Sequence, residues 1–383
     1  MKKFNLSTIA VMAVLMVTSC VQPQYDKPVE ASQKGFALSF FKNVVATSDP
    51  GDNLVVSPYS AGVALSMVAE GAVGQTREEF DKALNGCLFK AVDLGNNDTV
   101  TVKSANSVWI TDDFSVRNRF VDLMEKDFQA EVVNLNFADP ATVRAINNWC
   151  SEHTEGKITE IVDQLSPSNV MLLLNALYFN APWADAFPQN NTKTDVFHSL
   201  NGDVQVEMMA KTDRLNYAEY HGAQMVELPY AGERYAMYIV LPPAGMNLDK
   251  MISYVNEGLY DQAMSMMNTA KVQLTMPKLK VETTMVLNKT LQNMGIKTAF
   301  TSAADFKGIA EMGPLVLDQV KQKCYIDVSE KGTEAAAVTS VGVRLTSVRP
   351  ETNVTMKVDR PYVFFIADRT NDNILFAGKI MRP

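Results

Sequence analysis

The chain has 383 residues, 47% of them hydrophobic and 20% charged, with a formal net charge of −8. That apolar content supports a sizeable core and excludes wholesale disorder, while the acidic balance argues against a nucleic-acid-binding surface, which needs a basic patch. Four Cys are too few for a disulfide-dense scaffold, and the three scattered His (His153, His198, His221) leave little room for a His-built metal site or a His-based triad.

Lys2 and Lys3 precede an apolar run from Ile9 to Val17 that is too short to span a bilayer as a stable helix. The run ends in Val17-Thr18-Ser19-Cys20, which resembles the lipobox of bacterial lipoproteins, whose Cys becomes lipidated and N-terminal after cleavage. The expectation is a signal peptide over 1–19, lipidation at Cys20 and a polar, Pro-containing tether over 20–30. Such a protein would be exported and held in the bacterial envelope by its lipid alone, facing the periplasm or the cell surface. Cys87, Cys150 and Cys324 remain. An odd number cannot pair completely within one chain and none forms C-x-x-C, so they read as small, mostly buried hydrophobes.

No linker, repeat or low-complexity block interrupts Ala31 to Pro383, which reads as one mixed domain. Gly35 to Val45 places Phe36, Phe40, Phe41 and Val44 on one helical face. Ser57-Pro58 is an N-cap and first-turn proline, with Gly71 closing that helix. Thr76-Arg77-Glu78-Glu79 reads as a capping box opening the next. Asp139-Pro140 opens another helix, carrying Ile146 and Trp149, and Asn169 to Phe179 is apolar enough for a strand covered on both faces. The second half is strand-rich, with candidates at Gln224–Leu228, Tyr235–Leu241, Lys271–Met276, Tyr325–Val328, Tyr362–Ala367 and Ile374–Ile380. A helix is predicted from Thr284 to Met294, stopped by Gly295. Strands too numerous for βαβ alternation, mixed with several helices, predict an α+β fold.

No G-x-S-x-G, G-x-G-x-x-G, P-loop or H-E-x-x-H occurs, so nothing singles out a catalytic centre, a metal site or a cofactor. The informative segment is EKGTEAAAVTSVGVRLT at 330–346. From Thr333 on, its odd positions Thr333, Ala335, Ala337, Thr339, Val341, Val343 and Leu345 are all uncharged, while Glu334 and Arg344 fall on even positions, the parity of a strand with one buried face. It follows a convincing strand with no evident turn to double it back, and Gly332 supplies a joint. A single strand from Tyr325 to Leu345 would be several times the usual length. The chain therefore carries a strand it could either use or leave out.

Glu330-Lys331-Gly332-Thr333-Glu334-Ala335-Ala336-Ala337 resembles the hinge of the reactive-centre loop in inhibitory serpins. Other segments resemble the family in the right order: Asn53 with Ser57-Pro58 and Ser60; Ile146-Asn147-Asn148-Trp149 with Thr154 to Ile158; Asn175, Phe179, Trp183 and Phe187; Asp305-Phe306 with Gly308; and Asp359-Arg360-Pro361-Tyr362 through Gly378-Lys379. The resemblance covers nearly all of Ala31 to Pro383. It implies the serpin fold: one large mixed sheet, two further sheets, about eight or nine helices and an exposed reactive-centre loop over about 330–352. It also implies a monomeric suicide-substrate inhibitor, not an enzyme, that needs no cofactor and traps a protease acyl-enzyme by inserting the cleaved loop into the main sheet. The family also contains members that only bind or chaperone.

Residue roles follow from the resemblance. Gly332 and Thr333 enter the sheet first, and Ala335, Ala336 and Ala337 follow with little bulk. Ser57, Ser60, Asn175 and Gln322 match the polar cluster beneath the sheet's opening point, grouped with Trp183 and Lys278; the family commonly has His where this chain has Gln322. Lys278 and Glu330 match a pair at the top of the sheet. The family's usual spacing from Gly332 puts the scissile bond at Thr346-Ser347, whose small β-branched Thr346 suits an elastase-like pocket. Counting back from Pro361 lands near Pro350, which keeps Arg344 and Arg349 as alternatives for trypsin-like or other Arg-specific targets. Subtilisin-like and cysteine proteases are further partner classes.

Overall fold

The computed structural model describes residues 32–97, 99–311, 315–333, 353–371 and 373–383. Ser32 accepts a hydrogen bond from the Gly35 amide and caps α1 (Gln33–Ala46), which buries Phe36, Phe40, Phe41 and Val44 on the expected face. After β1 (Leu54–Val56), Ser57 caps α2 (Pro58–Gly71) through the Ser60 amide. The next helix, α3 (Gly74–Ala83), starts before Thr76, and its cap residue Val73 makes no side-chain bond. The expected capping box is absent because tertiary amides take its acceptors. Thr76 accepts from the Asp305 amide, and Glu79 accepts from the Lys297 and Thr298 amides.

The chain continues through β2 (Thr101–Thr111), α4 (Asn118–Phe128), β3 (Glu131–Leu135), the Asp139-capped α5 (Pro140–His153) and β4 (Met171–Pro182). Then come β5 (Lys193–Ser199), β6 (Gly202–Tyr220), β7 (Ala223–Pro229), β8 (Tyr235–Leu241), α6 (Leu248–Tyr254), α7 (Glu257–Ser265) and β9 (Asn268–Pro277). The last elements are β10 (Leu279–Val286), α8 (Asn288–Asn293), β11 (Leu317–Ser329), β12 (Gly332–Thr333), β13 (Asn353–Lys357), β14 (Tyr362–Asp368) and β15 (Asn373–Ile380). Thr284 to Val286 is thus strand, not helix. Leu279, Val281 and Thr283 are buried while Lys280, Glu282 and Thr284 are exposed, and this period of two lets β10 pair with β11 along its whole length.

The described strands form two sheets. The six-stranded sheet has the order β10-β11-β12-β4-β2-β3, and the nine-stranded one runs β1-β15-β14-β8-β7-β6-β9-β13 with β5 on β6. The nine-stranded sheet merges what the sequence reading treated as two smaller sheets. The 19-residue β6 pairs with β5 over its first part, with β9 from Met208 to Tyr217 and with β7 at its end, so hydrogen bonding is continuous.

β4 positions the candidate site. Its Met171, Leu173, Leu177, Phe179 and Ala181 join the main core between the two sheets. Leu172, Leu174 and Ala176 face the other way and pack with Trp109 of β2 and with Ile146 and Trp149 of α5. The two indoles meet edge-on at 6.1 Å. Full burial on both faces is what the apolar run anticipated, and at about 1.5–3 kcal/mol per large side chain it makes β4 the anchor of its sheet. Among the described residues no helix is long and apolar enough to cross a membrane, and no group of three or more His, Cys, Asp or Glu could hold a metal ion.

Candidate functional site

The sheet is closed along most of its length and forked at one end. β11 and β4 run parallel and pair directly from Leu317–Met171 to Cys324–Leu177. Beyond Cys324 the two strands separate. At their far ends Gly332 and Thr333 lie between them, antiparallel to both: Thr333 opposite Val328 and Ala181, Gly332 opposite Ser329 and Pro182. The turn past Ser329, of which the sequence showed no evident sign, is therefore present, as a two-residue reversal at Glu330-Lys331. No Pro, Asn or Asp marked that turn in the sequence. Gly332 makes it feasible, with a φ of +148°, and a Cβ there would sit 2.3 Å from the Ala181 carbonyl oxygen.

Thr333 is 0% exposed. Its hydroxyl lies 2.6 Å from the Tyr230 hydroxyl, and burial pushes the Tyr230 phenol up, so it stays protonated. The Tyr230 ring stacks on Trp183 with centroids 4.5 Å apart. Trp183 and Phe187 lie past the end of β4, in a turn bonded to Ser329, Glu330 and Lys331. The Trp183 amide donates to the Lys331 carbonyl (2.9 Å), its indole N–H to the Ser329 carbonyl (3.0 Å), and the Phe187 amide to the Glu330 carbonyl (2.8 Å). The Glu330 carboxylate accepts from the Thr192 hydroxyl (2.7 Å) and pairs with Lys278 at 3.0 Å. Burial alone would raise the Glu330 carboxyl, but these partners together hold it below its ordinary value. The Glu330 contact in turn holds Lys278 above the usual ammonium range. This pair is not a fully exposed surface bridge, because the Glu330 end is buried.

The polar cluster is a separate group, six residues along β4 from Ala181, or about 20 Å at strand rise. The Asn175 amide group donates to the Ser60 hydroxyl and to Asn106 Oδ1, and its oxygen accepts from Gln322 Nε2 at 2.6 Å. Gln322 also exchanges two 2.9 Å bonds with the Ser57 main chain. Ser60 is shared with Ser104. Ser57, Ser60, Asn175 and Gln322 thus meet beneath the sheet, whereas Trp183 and Lys278 belong to the hinge end, so the six residues grouped from the sequence are two clusters. The central one contains no titratable side chain. It closes the sheet by joining β4 to β11 through one side-chain pair.

Tyr230, Thr192, Ser104 and Asn106 were missed in the sequence. Asn106 and Ser104 carried a faint signal, as the polar members of a strand face otherwise made of Val102, Val108 and Ile110. Tyr230 and Thr192 carried none, since their roles depend on a partner about a hundred or more residues away. Glu334, Ala335, Ala336, Ala337, Arg344, Thr346, Ser347, Arg349 and the lipidation candidate Cys20 lie outside the described residues. Cys150 and Cys324 are buried, with burial pushing the Cys150 thiol up to about 12, and Cys87 is half-buried; all three are unpaired.

Residues 31–383 match the family model described as Serpin (serine protease inhibitor). The chain belongs to the serpin family. An uncharacterized serpin-like protein of Thermococcus kodakarensis is 33% identical over 373 residues, covering 94% of this chain and 86% of the relative. Human Serpin B8 is 32% identical over 372 residues, covering 91% and 97%. Among solved structures, the thermophilic serpin Tengpin in its native state superposes with a TM-score of 0.84 at 30% identity, covering 92% of this serpin and 93% of that chain. Serpins are mostly protease inhibitors rather than enzymes.

Proposed function

We propose that this serpin is a suicide-substrate inhibitor of serine endopeptidases. The observation that carries the reading is the seated hinge: Gly332 and Thr333 already bond to both β11 and β4 at the mouth of a fork. Continuing their register pairs residues 334–343 one for one with 180 down to 171 of β4, and replaces one β11–β4 ladder by two. Ala335, Ala337, Thr339, Val341 and Val343 then fall beside Phe179, Leu177, Asn175, Leu173 and Met171, on the core side. The uncharged parity of the loop matches the face that must be buried. Arg344 falls beyond the end of β4. The same register brings Thr339 opposite both Asn175 and Gln322, so its hydroxyl takes over a bond where those two side chains separate.

In this reading a protease attacks the loop and forms its acyl-enzyme, and the freed segment inserts behind Thr333 before water releases the enzyme. Thr346-Ser347 is the proposed bond, favouring elastase-like enzymes with a shallow apolar pocket; Arg344 or Arg349 would redirect the protein to trypsin-like or other Arg-specific targets. Subtilisin-like and cysteine proteases remain in the tested set. We place the protein in the bacterial envelope through a lipid on Cys20, which predicts that labelled fatty acid is incorporated by wild type and lost in Cys20→Ser.

Incubation of the mature chain with elastase, trypsin, subtilisin and papain in turn tests the inhibitory reading on denaturing gels. An SDS-stable complex with release of a peptide starting at Ser347 supports both mechanism and bond. A released peptide starting at Leu345 or Pro350 moves the bond. Cleavage without complex by all four enzymes turns the reading to a binding or chaperone role.

A further inference from the structure

β6 carries Lys211 at a position only 7% exposed, directly after Met208, Met209 and Ala210. Its ammonium donates to the Asp185 main-chain carbonyl at 2.7 Å and lies 4.9 Å from the centroid of the Phe187 ring. The nearest carboxylate, Asp213, is 3.7 Å away. Burial pushes the ammonium below its ordinary range, and Asp213 and Asp185 offset part of that. A lysine on the inward side of a strand is costly unless it holds something. What Lys211 holds is the turn from Trp183 to Phe187. The Ala184 amide also moors that turn on the Pro229 carbonyl, and the amides of Trp183 and Phe187 join it to Lys331 and Glu330.

We infer that Lys211 is a positioning residue that keeps the hinge seated, by pinning the 183–187 turn whose amides hold Glu330 and Lys331. Among the described residues Lys211 reaches Glu330, Lys331, Gly332 and Thr333 only indirectly, through Asp185 and Phe187. With the ammonium in place, the turn presents the Trp183 and Phe187 amides to the two carbonyls, and Gly332 and Thr333 remain between β11 and β4. Without it, the turn loses its charge-assisted bond, worth roughly a tenfold shift in an equilibrium, and the hinge leaves the fork more often. The consequence for inhibition rests on the inhibitory reading above; the seating of the hinge does not.

The two consequences have opposite signs, which separates positioning from general support of the fold. A labelled peptide of residues 333–346 must displace Thr333 to occupy the fork. It should therefore anneal to Lys211→Met about tenfold faster than to wild type, read by native gel or fluorescence anisotropy. The serpin's own loop must first re-seat its hinge, so the fraction of attacks ending in an SDS-stable complex should fall and cleaved monomer should accumulate. Lys211→Arg, which restores a cationic donor, should return both readouts toward wild type. Lys211→Gln, too short to reach the Asp185 carbonyl, serves in place of Lys211→Met if that variant does not fold. Peptide annealing within twofold of wild type overturns the inference. So does a parallel rise in peptide annealing and in complex yield, the signature of a sheet loosened as a whole. Failure of wild type to trap any protease removes the inhibitory reading, and the peptide measurement then decides the positioning role by itself.

Discussion

Replacing Thr333 by Arg tests the seated hinge most directly. Thr333 is fully enclosed, with Ala181 and Val328 beside it in the sheet and the Tyr230 hydroxyl as its side-chain partner. A guanidinium has five N–H donors and no acceptor, and Tyr230 offers it one oxygen. Leaving a charge buried without a counter-ion costs about 3–5 kcal/mol. Each 1.4 kcal/mol is a factor of ten, so the seated population falls by at least about a hundredfold. The side chain stays in water only if the hinge stays out of the fork, and insertion then loses its first two residues. In the proposed mechanism insertion competes with hydrolysis of the acyl-enzyme, so a slowdown of this size would turn an inhibitor into a substrate. The assay is titration of active protease with increasing serpin: wild type should consume protease near one to one, and Thr333→Arg should be cleaved with protease activity retained. Thr333→Val is the graded control. It keeps the shape, leaves the Tyr230 hydroxyl unpaired at a cost of about 1–3 kcal/mol, and should raise the stoichiometry modestly. Equal complex yield from Thr333→Arg and wild type would refute the reasoning that Thr333 leads the insertion.

The central cluster has no titratable group, so peptide annealing to wild type should show no step between pH 5 and 8 arising there. Gln322→His should introduce one: a buried His is held neutral, protonation opposes its hydrogen bond from the Ser57 amide, and the closed sheet should weaken as pH falls below about 6.5. Glu330 has its carboxyl held below the ordinary range, so its support of the hinge is present at neutral pH and is lost as pH falls through that lowered value. Peptide annealing should therefore quicken in acid for wild type, and Glu330→Gln should flatten that rise. Tyr362 is buried with no hydrogen-bond partner for its hydroxyl among the described residues. Tyr362→Phe should therefore stabilise the protein by about 1 kcal/mol, seen as a higher urea midpoint. An unchanged or lower midpoint would mean that the hydroxyl is satisfied in solution.

Much of the architecture was legible because its causes are local. The Ser57-Pro58 and Asp139-Pro140 starts, the four-residue spacing of the α1 aromatics and the doubly apolar β4 all express short-range rules. The helices and strands they announced are present. Local rules failed where a distant partner outbid them. Thr76 and Glu79 gave up their cap to the amides of 297–305, and Thr284 to Val286 became strand because β11 lay alongside.

The candidate site divides the same way. Composition and parity alone marked 333–346 as a potential strand with an uncharged face and Gly332 as its joint, and the family resemblance added that Gln322 in place of the usual His removes a titratable group from its cluster. Only the tertiary structure decided that the chain reverses at Glu330-Lys331, that Thr333 is already enclosed against Tyr230, and that Lys211 holds the turn above it. A strand's faces follow from the alternation of its own side chains, which any short stretch displays. Whether a cleft exists to receive that strand depends on two others, β4 and β11, about 150 residues apart in sequence, and no local pattern in either records the gap between them.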